Sequence, residues 1–154
     1  MHFGPIPCGN ASLKEDETVA EPLDIPSILS HVSVGSNDLE RALAFYDAVL
    51  ATVGAERKHE VPGFAVAYGK LFPEFWVQTP FDEKTASVGN GVHFAFIAMT
   101  RDEVHAFHEA ALAAGGKDEG APGPRPQYGD DYYGCFVRDL DGNKIEASLL
   151  QVMD

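Results

Sequence analysis

The strongest constraint in this 154-residue chain is an internal repeat. Displaced by 62 residues, HVSVGSNDLERALAFYDAVLATVG (31–54) falls on HFAFIAMTRDEVHAFHEAALAAGG (93–116), with seven of 24 positions identical. The identical pairs are His31/His93, Ala44/Ala106, Phe45/Phe107, Ala48/Ala110, Leu50/Leu112, Ala51/Ala113 and Gly54/Gly116. Two Ala-rich helices match readily by chance, so the weight falls on the order of elements around the match, which is the same in both halves.

Each half opens on a strand. Ile28, Ser30, Val32 and Val34 alternate with Leu29, His31, Ser33 and Gly35, and Val92, Phe94 and Phe96 alternate with His93, Ala95 and Ile97. Period-two alternation puts one mainly apolar face under a helix and leaves a histidine on the other. A helix follows in each half. Asn37 and Glu40 have capping-box spacing ahead of the stripe Leu39, Ala42, Leu43, Tyr46, Val49, Leu50, Val53, which Gly54 ends. Thr100 and Glu103 do the same for the second helix, stopped by Gly115-Gly116. Three strands come next: Glu56–Val61, Phe64–Tyr68 and Glu74–Gln78 in the first half, and a weak segment near Asp118–Glu119, Tyr132–Arg138 and Lys144–Leu150 in the second. The predicted order is β-α-β-β-β, twice.

That repeat divides the chain into an irregular arm at 1–27, with four prolines and an excess of acids, and one domain at 28–151 made of module one (28–80) and module two (91–151). A chain this long buries a core without disulfides or structural metal, and Cys8 and Cys135 have no metal-site or disulfide spacing, so both are expected as free thiols. The longest apolar runs, such as Phe94 to Met99, are far below the ~20 residues of a spanning helix. The first residues show no basic start followed by an apolar stretch, so a cytoplasmic location is expected. A formal charge of −13, from 11 Lys+Arg and 24 Asp+Glu, argues against nucleic acid and anionic membranes. Small molecules and proteins remain as partners.

The repeat makes His31 and His93 equivalent, each on the strand face turned from its helix. Near the C-terminus, Ile145, Ala147 and Leu149 alternate with Lys144, Glu146 and Ser148, which puts Glu146 on that same polar face. A carboxylate inside such a module is costly to bury unless paired or bound to metal. His31, His93 and Glu146 therefore form a candidate two-His-one-carboxylate set.

The paired modules, SNDLERALAFYDAVL after His31, GNGVHFAF around His93 and YYGCFVRDLDGNKIEAS around Glu146 resemble the vicinal oxygen chelate superfamily. That superfamily groups glyoxalase I, bleomycin-resistance proteins and extradiol dioxygenases. The resemblance covers about residues 27–151. It implies an α+β fold in which two tandem βαβββ modules form a curled mixed eight-stranded sheet around one cavity. It also implies a divalent metal (Fe, Mn, Ni or Zn) held by His31, His93 and Glu146, and assembly as a homodimer. One position departs from the glyoxalase pattern: Trp76 stands where Glu146's counterpart would be, with Glu74 and Gln78 as possible fourth ligands after a short register shift.

Two chemistries follow from the resemblance. In a glyoxalase-like enzyme the metal holds two adjacent substrate oxygens while a carboxylate, Glu146 or Glu74, moves the neighbouring proton. In a dioxygenase-like enzyme an acid-base group assists, and Tyr132, Tyr133 and His59 are candidates, Tyr133 being assigned with Glu146 to catalysis. Trp76, His59 and Arg125 are expected at the substrate pocket, with the stiff segment GAPGPRPQYGDD (120–131) edging its mouth. His105 and His108 are expected on the surface. The alternative is a metal-free, ligand-sequestering protein of the bleomycin-resistance type, with Trp76, Phe75 and Tyr133 as stacking faces.

Overall fold

The structure, a computed structural model, describes residues 27–150; all of the expected arm at 1–27 except its last residue lies outside them. Module one comprises β1 (Val32–Gly35), α1 (Leu39–Ala51), β2 (Glu56–Val61), β3 (Ala65–Gly69) and β4 (Phe75–Gln78). Module two comprises β5 (His93–Ala98), α2 (Arg101–Ala113), β6 (Lys117–Pro124), β7 (Tyr133–Arg138) and β8 (Lys144–Leu149). The order is βαβββ twice, as the repeat predicts. The eight strands form two four-stranded mixed sheets, ordered β1-β4-β3-β2 and β5-β8-β7-β6. In each the first strand runs parallel to the last, because a helix carries the crossover, and the hairpin-joined strands are antiparallel.

The helix ends show where local signals prevail and where they do not. On α2, Thr100 Oγ1 accepts from the Glu103 amide at 3.2 Å and the Glu103 carboxylate accepts from the Met99 amide at 2.7 Å. On α1 the cap is Asp38, whose carboxylate accepts from the Arg41 amide, rather than the expected Asn37. Asn37 is used elsewhere: its amide and Nδ2 donate to Asp141 of module two at 2.9 and 3.0 Å, and its Oδ1 accepts from the Ala86 amide. Gly54 (φ 77°) and Gly115 (φ 95°) end the helices in the left-handed conformation.

Both helices cover one face of the sheets, and a single core runs through both modules. Phe45, Val49 and Leu50 from α1 and Val104, Phe107 and Ala111 from α2 belong to it. Phe75 packs edge-on to Phe94 and Phe96 of the other module, at 5.9 and 5.0 Å between ring centroids. Beside this contact the buried Tyr46 hydroxyl of α1 donates to Asp139 Oδ2 in the β7–β8 turn at 2.6 Å. Asp139 also accepts from the Asp141 and Asn143 amides and from Asn143 Nδ2, so its carboxylate is fully bonded. The modules are thus joined on their helical side, while no strand of one sheet pairs with the other among the described residues.

Two further expectations change. The segment at 120–124 is strand, not loop: β6 runs to Pro124, with register shifts at Asp118/Gly120 and Gly120/Gly123. It lies at the sheet edge, where a proline's missing N–H removes no ladder bond. His108 is buried rather than on the surface, and its Nε2 lies 2.8 Å from Asp118 Oδ1.

Candidate functional site

The open face of the second sheet gathers the polar groups. Register places Ala95, Glu146 and Phe136 side by side across β5, β8 and β7, with His93 opposite Lys144. Glu146 is only 1% exposed, and its Oε2 lies 3.2 Å from His93 Nε2, on a side chain that is itself 47% exposed. The other carboxylate oxygen, Oε1, accepts a hydrogen bond from the Tyr132 hydroxyl. Burial, and then that bond to Glu146, hold the Tyr132 hydroxyl above its ordinary pKa, so it remains a donor at neutral pH. Gly134 leaves the space this needs, since a Cβ there would sit 3.0 Å from Glu146 Oε1.

Phe136 forms the floor beside this pair. The Arg125 guanidinium lies 5.6 Å and the Lys144 ammonium 4.8 Å from its ring centroid. Tyr128 stands edge-on to both Tyr132 and Phe136.

The first sheet presents a different surface. His31 immediately precedes β1, with its Nδ1 3.0 Å from Ser30 Oγ. Trp76 lies opposite Ser33, two residues past His31, just as Glu146 lies opposite Ala95, two residues past His93. The register therefore makes Trp76 and Glu146 equivalent. The Trp76 ring is 6.5 Å from that of His31 and 5.7 Å from that of His59, so this face is an aromatic platform. Glu74 is occupied at the β3–β4 turn, where its carboxylate accepts from the Lys70 amide at 3.0 Å. Gln78 sits between Gly35 and Ala65 at the far end of the strand.

His93 and Glu146 are thus together, while His31 keeps company with Trp76 and His59. Among the described residues no three His, Cys, Asp or Glu side chains converge. His31 and His93 both line an open groove of about 560 Å³, together with Leu50, Val53, Phe75, Phe94 and Phe96. Phe75 belongs to this buried core and offers no face to the Trp76 platform.

Tyr133 is placed away from Glu146, on the helix side of β7. Its hydroxyl is 2.7 Å from His105 Nε2, and Arg101 lies 4.8 Å from its ring centroid. The tyrosine that reaches Glu146 is Tyr132. Alternation carried the signal, since Tyr132, Gly134 and Phe136 share the parity of the residue opposite Glu146.

Among the described residues no helix is long and apolar enough to cross a membrane. The sequence profile of the glyoxalase/bleomycin resistance protein/dioxygenase superfamily matches residues 28–147. A glyoxalase/bleomycin resistance protein from Albidiferax ferrireducens T118 is 38% identical, over 81% of this chain and all of that one, with a TM-score of 0.73. Similar folds at lower identity include lactoylglutathione lyase from Agrobacterium tumefaciens (23%, TM-score 0.58, 81% of this chain and 94% of that one). The fosfomycin resistance protein FosX from Listeria monocytogenes is another (19%, TM-score 0.59, 83% and 97%). No curated protein matches. The repeated modules, their sheet order and the profile match together make this chain a member of the glyoxalase/bleomycin resistance protein/dioxygenase superfamily.

Proposed function

We propose that the chain is a divalent-metal-dependent enzyme acting on a small molecule with two adjacent oxygens, as a glyoxalase-I-like lyase or isomerase or an extradiol-type dioxygenase. The observation that carries this reading is Glu146: a carboxylate 1% exposed whose polar partners are an imidazole and a phenol, with no lysine or arginine within 4.0 Å among the described residues. Burying a carboxylate without a strong counter-charge is costly, and metal ligation is one of the few arrangements that offset it. His93 and Glu146 would serve as two ligands, and His31, which stands apart from them within one chain, would be the third once a second copy brings it alongside, giving the donor set associated with Fe, Mn, Ni or Zn and an open coordination position. When bound, such an ion polarises the substrate's oxygens as a Lewis acid. Glu146 is the group positioned to hold a proton next to those oxygens, and Tyr132 orients it by bonding Oε1.

The reading includes a homodimer. The outer edges of β1 and β5 carry no strand among the described residues, and Leu29, Val92, Ile97 and Met99 beside them are exposed. A second copy whose β5 edge lies beside β1 supplies the neighbour that His31 lacks within its own chain. The buried free thiol of Cys135 accords with a reducing, cytoplasmic setting.

Metal analysis tests this. The protein, reconstituted separately with Fe(II), Mn(II), Ni(II) and Zn(II), is compared with its His31→Ala, His93→Ala and Glu146→Gln variants, then assayed with methylglyoxal-glutathione hemithioacetal and with catechols. Stoichiometric metal in the parent, lost in each variant, supports the reading. No uptake of any of the four overturns it. That outcome favours the second reading, a metal-free ligand-binding protein of the bleomycin-resistance type, for which the Trp76 platform between His31 and His59 is the specific support.

A further inference from the structure

The open face of the second sheet holds charge that the metal reading does not use. Arg125 is half-buried, and among the described residues it has no carboxylate within 4.0 Å, in a chain where acids outnumber bases by 13. Its guanidinium is held in place: Nη1 donates to the Pro124 carbonyl at 3.1 Å and Nη2 to the Ala121 carbonyl at 2.7 Å. Gly120 and Gly123 make room for it, since a Cβ at either would lie 3.1 or 3.2 Å from a guanidinium nitrogen. Lys144 shares the Phe136 ring with it, and the nearest acid, Glu119, is bonded chiefly to Arg138, at 2.8 Å against 3.8 Å to Lys144. Phe136 is the direct cross-strand neighbour of Glu146. A fixed, uncompensated cation costs desolvation and returns it when an anion docks.

We infer that Arg125 and Lys144, set over Phe136, form an anion subsite, so that the substrate of this site carries a carboxylate or phosphonate on the scaffold that bears its paired oxygens. Identifying the anion as part of the substrate rests on the metal reading above. The subsite itself lies within module two and exists whether or not metal binds. Arg125 offers guanidinium N–H groups beyond those bonded to the Ala121 and Pro124 carbonyls, Lys144 adds an ammonium, and the buried Phe136 ring holds both cations beside Glu146.

Calorimetric titration tests the two levels separately. On metal-loaded protein, 3,4-dihydroxybenzoate is expected to bind at least tenfold more tightly than catechol, a difference of about 1.4 kcal/mol. The Arg125→Met/Lys144→Met variant is expected to lose that preference while keeping its metal content. On metal-free protein, benzoate and phenylphosphonate are expected to bind the parent and not the variant, and the tighter of the two identifies the anion. Equal binding of catechol and its carboxylate by the parent, or a preference that survives in the variant, overturns the inference. If the parent takes up no metal, the metal reading fails, and the metal-free titrations alone decide the subsite: binding that vanishes in the variant sustains it, and no binding ends it.

Discussion

Replacing Glu146 by glutamine separates a ligand from a structural carboxylate, because the two roles give effects of opposite sign. Glutamine has the same shape. Its Oε1 still accepts from the Tyr132 hydroxyl, and its amide still fits against the His93 ring. What disappears is a negative charge at a site 1% exposed. Removing a poorly compensated buried charge while keeping its volume and hydrogen bonds is neutral to stabilising, by up to about 2 kcal/mol. The metal-free variant should therefore be as stable as the parent or more so. In the presence of metal the order inverts. A ligand at 100 times its Kd stabilises the folded state by about 2.7 kcal/mol. At roughly 2–4 °C per kcal/mol for a chain of this size, that corresponds to about 5–10 °C in Tm. The parent should show this shift and Glu146→Gln should not. Thermal melts of both proteins, with chelator and with each divalent ion, decide the matter. A metal-free variant destabilised by more than ~2 kcal/mol would mean that the carboxylate holds the sheet together, and a metal-induced shift that persists in the variant would mean that the ion sits elsewhere.

Other expectations concern the scaffold. Tyr46→Phe removes the 2.6 Å bond that ties α1 to the β7–β8 turn and should cost about 1.5–3 kcal/mol in urea titrations; a loss below ~0.5 kcal/mol would show that the packed rings alone join the modules. Asp47 is held below its ordinary value of 3.8 first by the hydrogen bond from Arg57 and also by that from Tyr68. Its folded-state pKa is the lower one, so its contribution is complete above that ordinary value and fades as the pH falls beneath it. Asp47→Asn should show a flatter acid limb of stability against pH, and an unchanged limb would remove Asp47 from the account. Burial pushes the Cys135 thiol up to about 11, and its Sγ donates to the Val104 carbonyl at 3.5 Å. In a Cys8→Ser chain, a thiol reagent at neutral pH should label Cys135 only as fast as the protein opens. Rapid labelling without denaturant would contradict that burial.

What could be read from the chain was what short-range periodicity encodes. Strand alternation around His93 and Glu146 put both on one polar face, and the register bears that placement out. Laying FWVQTP (75–80) on IEASLL (145–150) makes Trp76 the counterpart of Glu146, and the strand register agrees. The misses share a cause in tertiary context or in a single step of register. Asn37 and Asp38 are both good caps, and the choice between them is made by Asp141, which arrives from the other module. Tyr132 and Tyr133 are neighbours, and one residue along a strand reverses the face. The prolines of β6 read as loop because nothing local says that the strand ends a sheet.

The four terminal strands of the two sheets are not alike, and the difference has a colloidal consequence. β2 carries Glu56, Arg57, Lys58 and Glu60, and β6 carries Pro122 and Pro124 with two breaks in its register, all devices that discourage a stray strand from adding on. β1 and β5 have no such guard and are flanked by exposed Leu29, Val92 and Met99. Sticky and repellent margins on opposite sides of each sheet give the molecule a polarity of association. Growth in the repellent direction is blocked, so association has one route, through the edges that the proposed homodimer would cover, and a single charged substitution on β5, such as Ile97→Lys, should weaken that association.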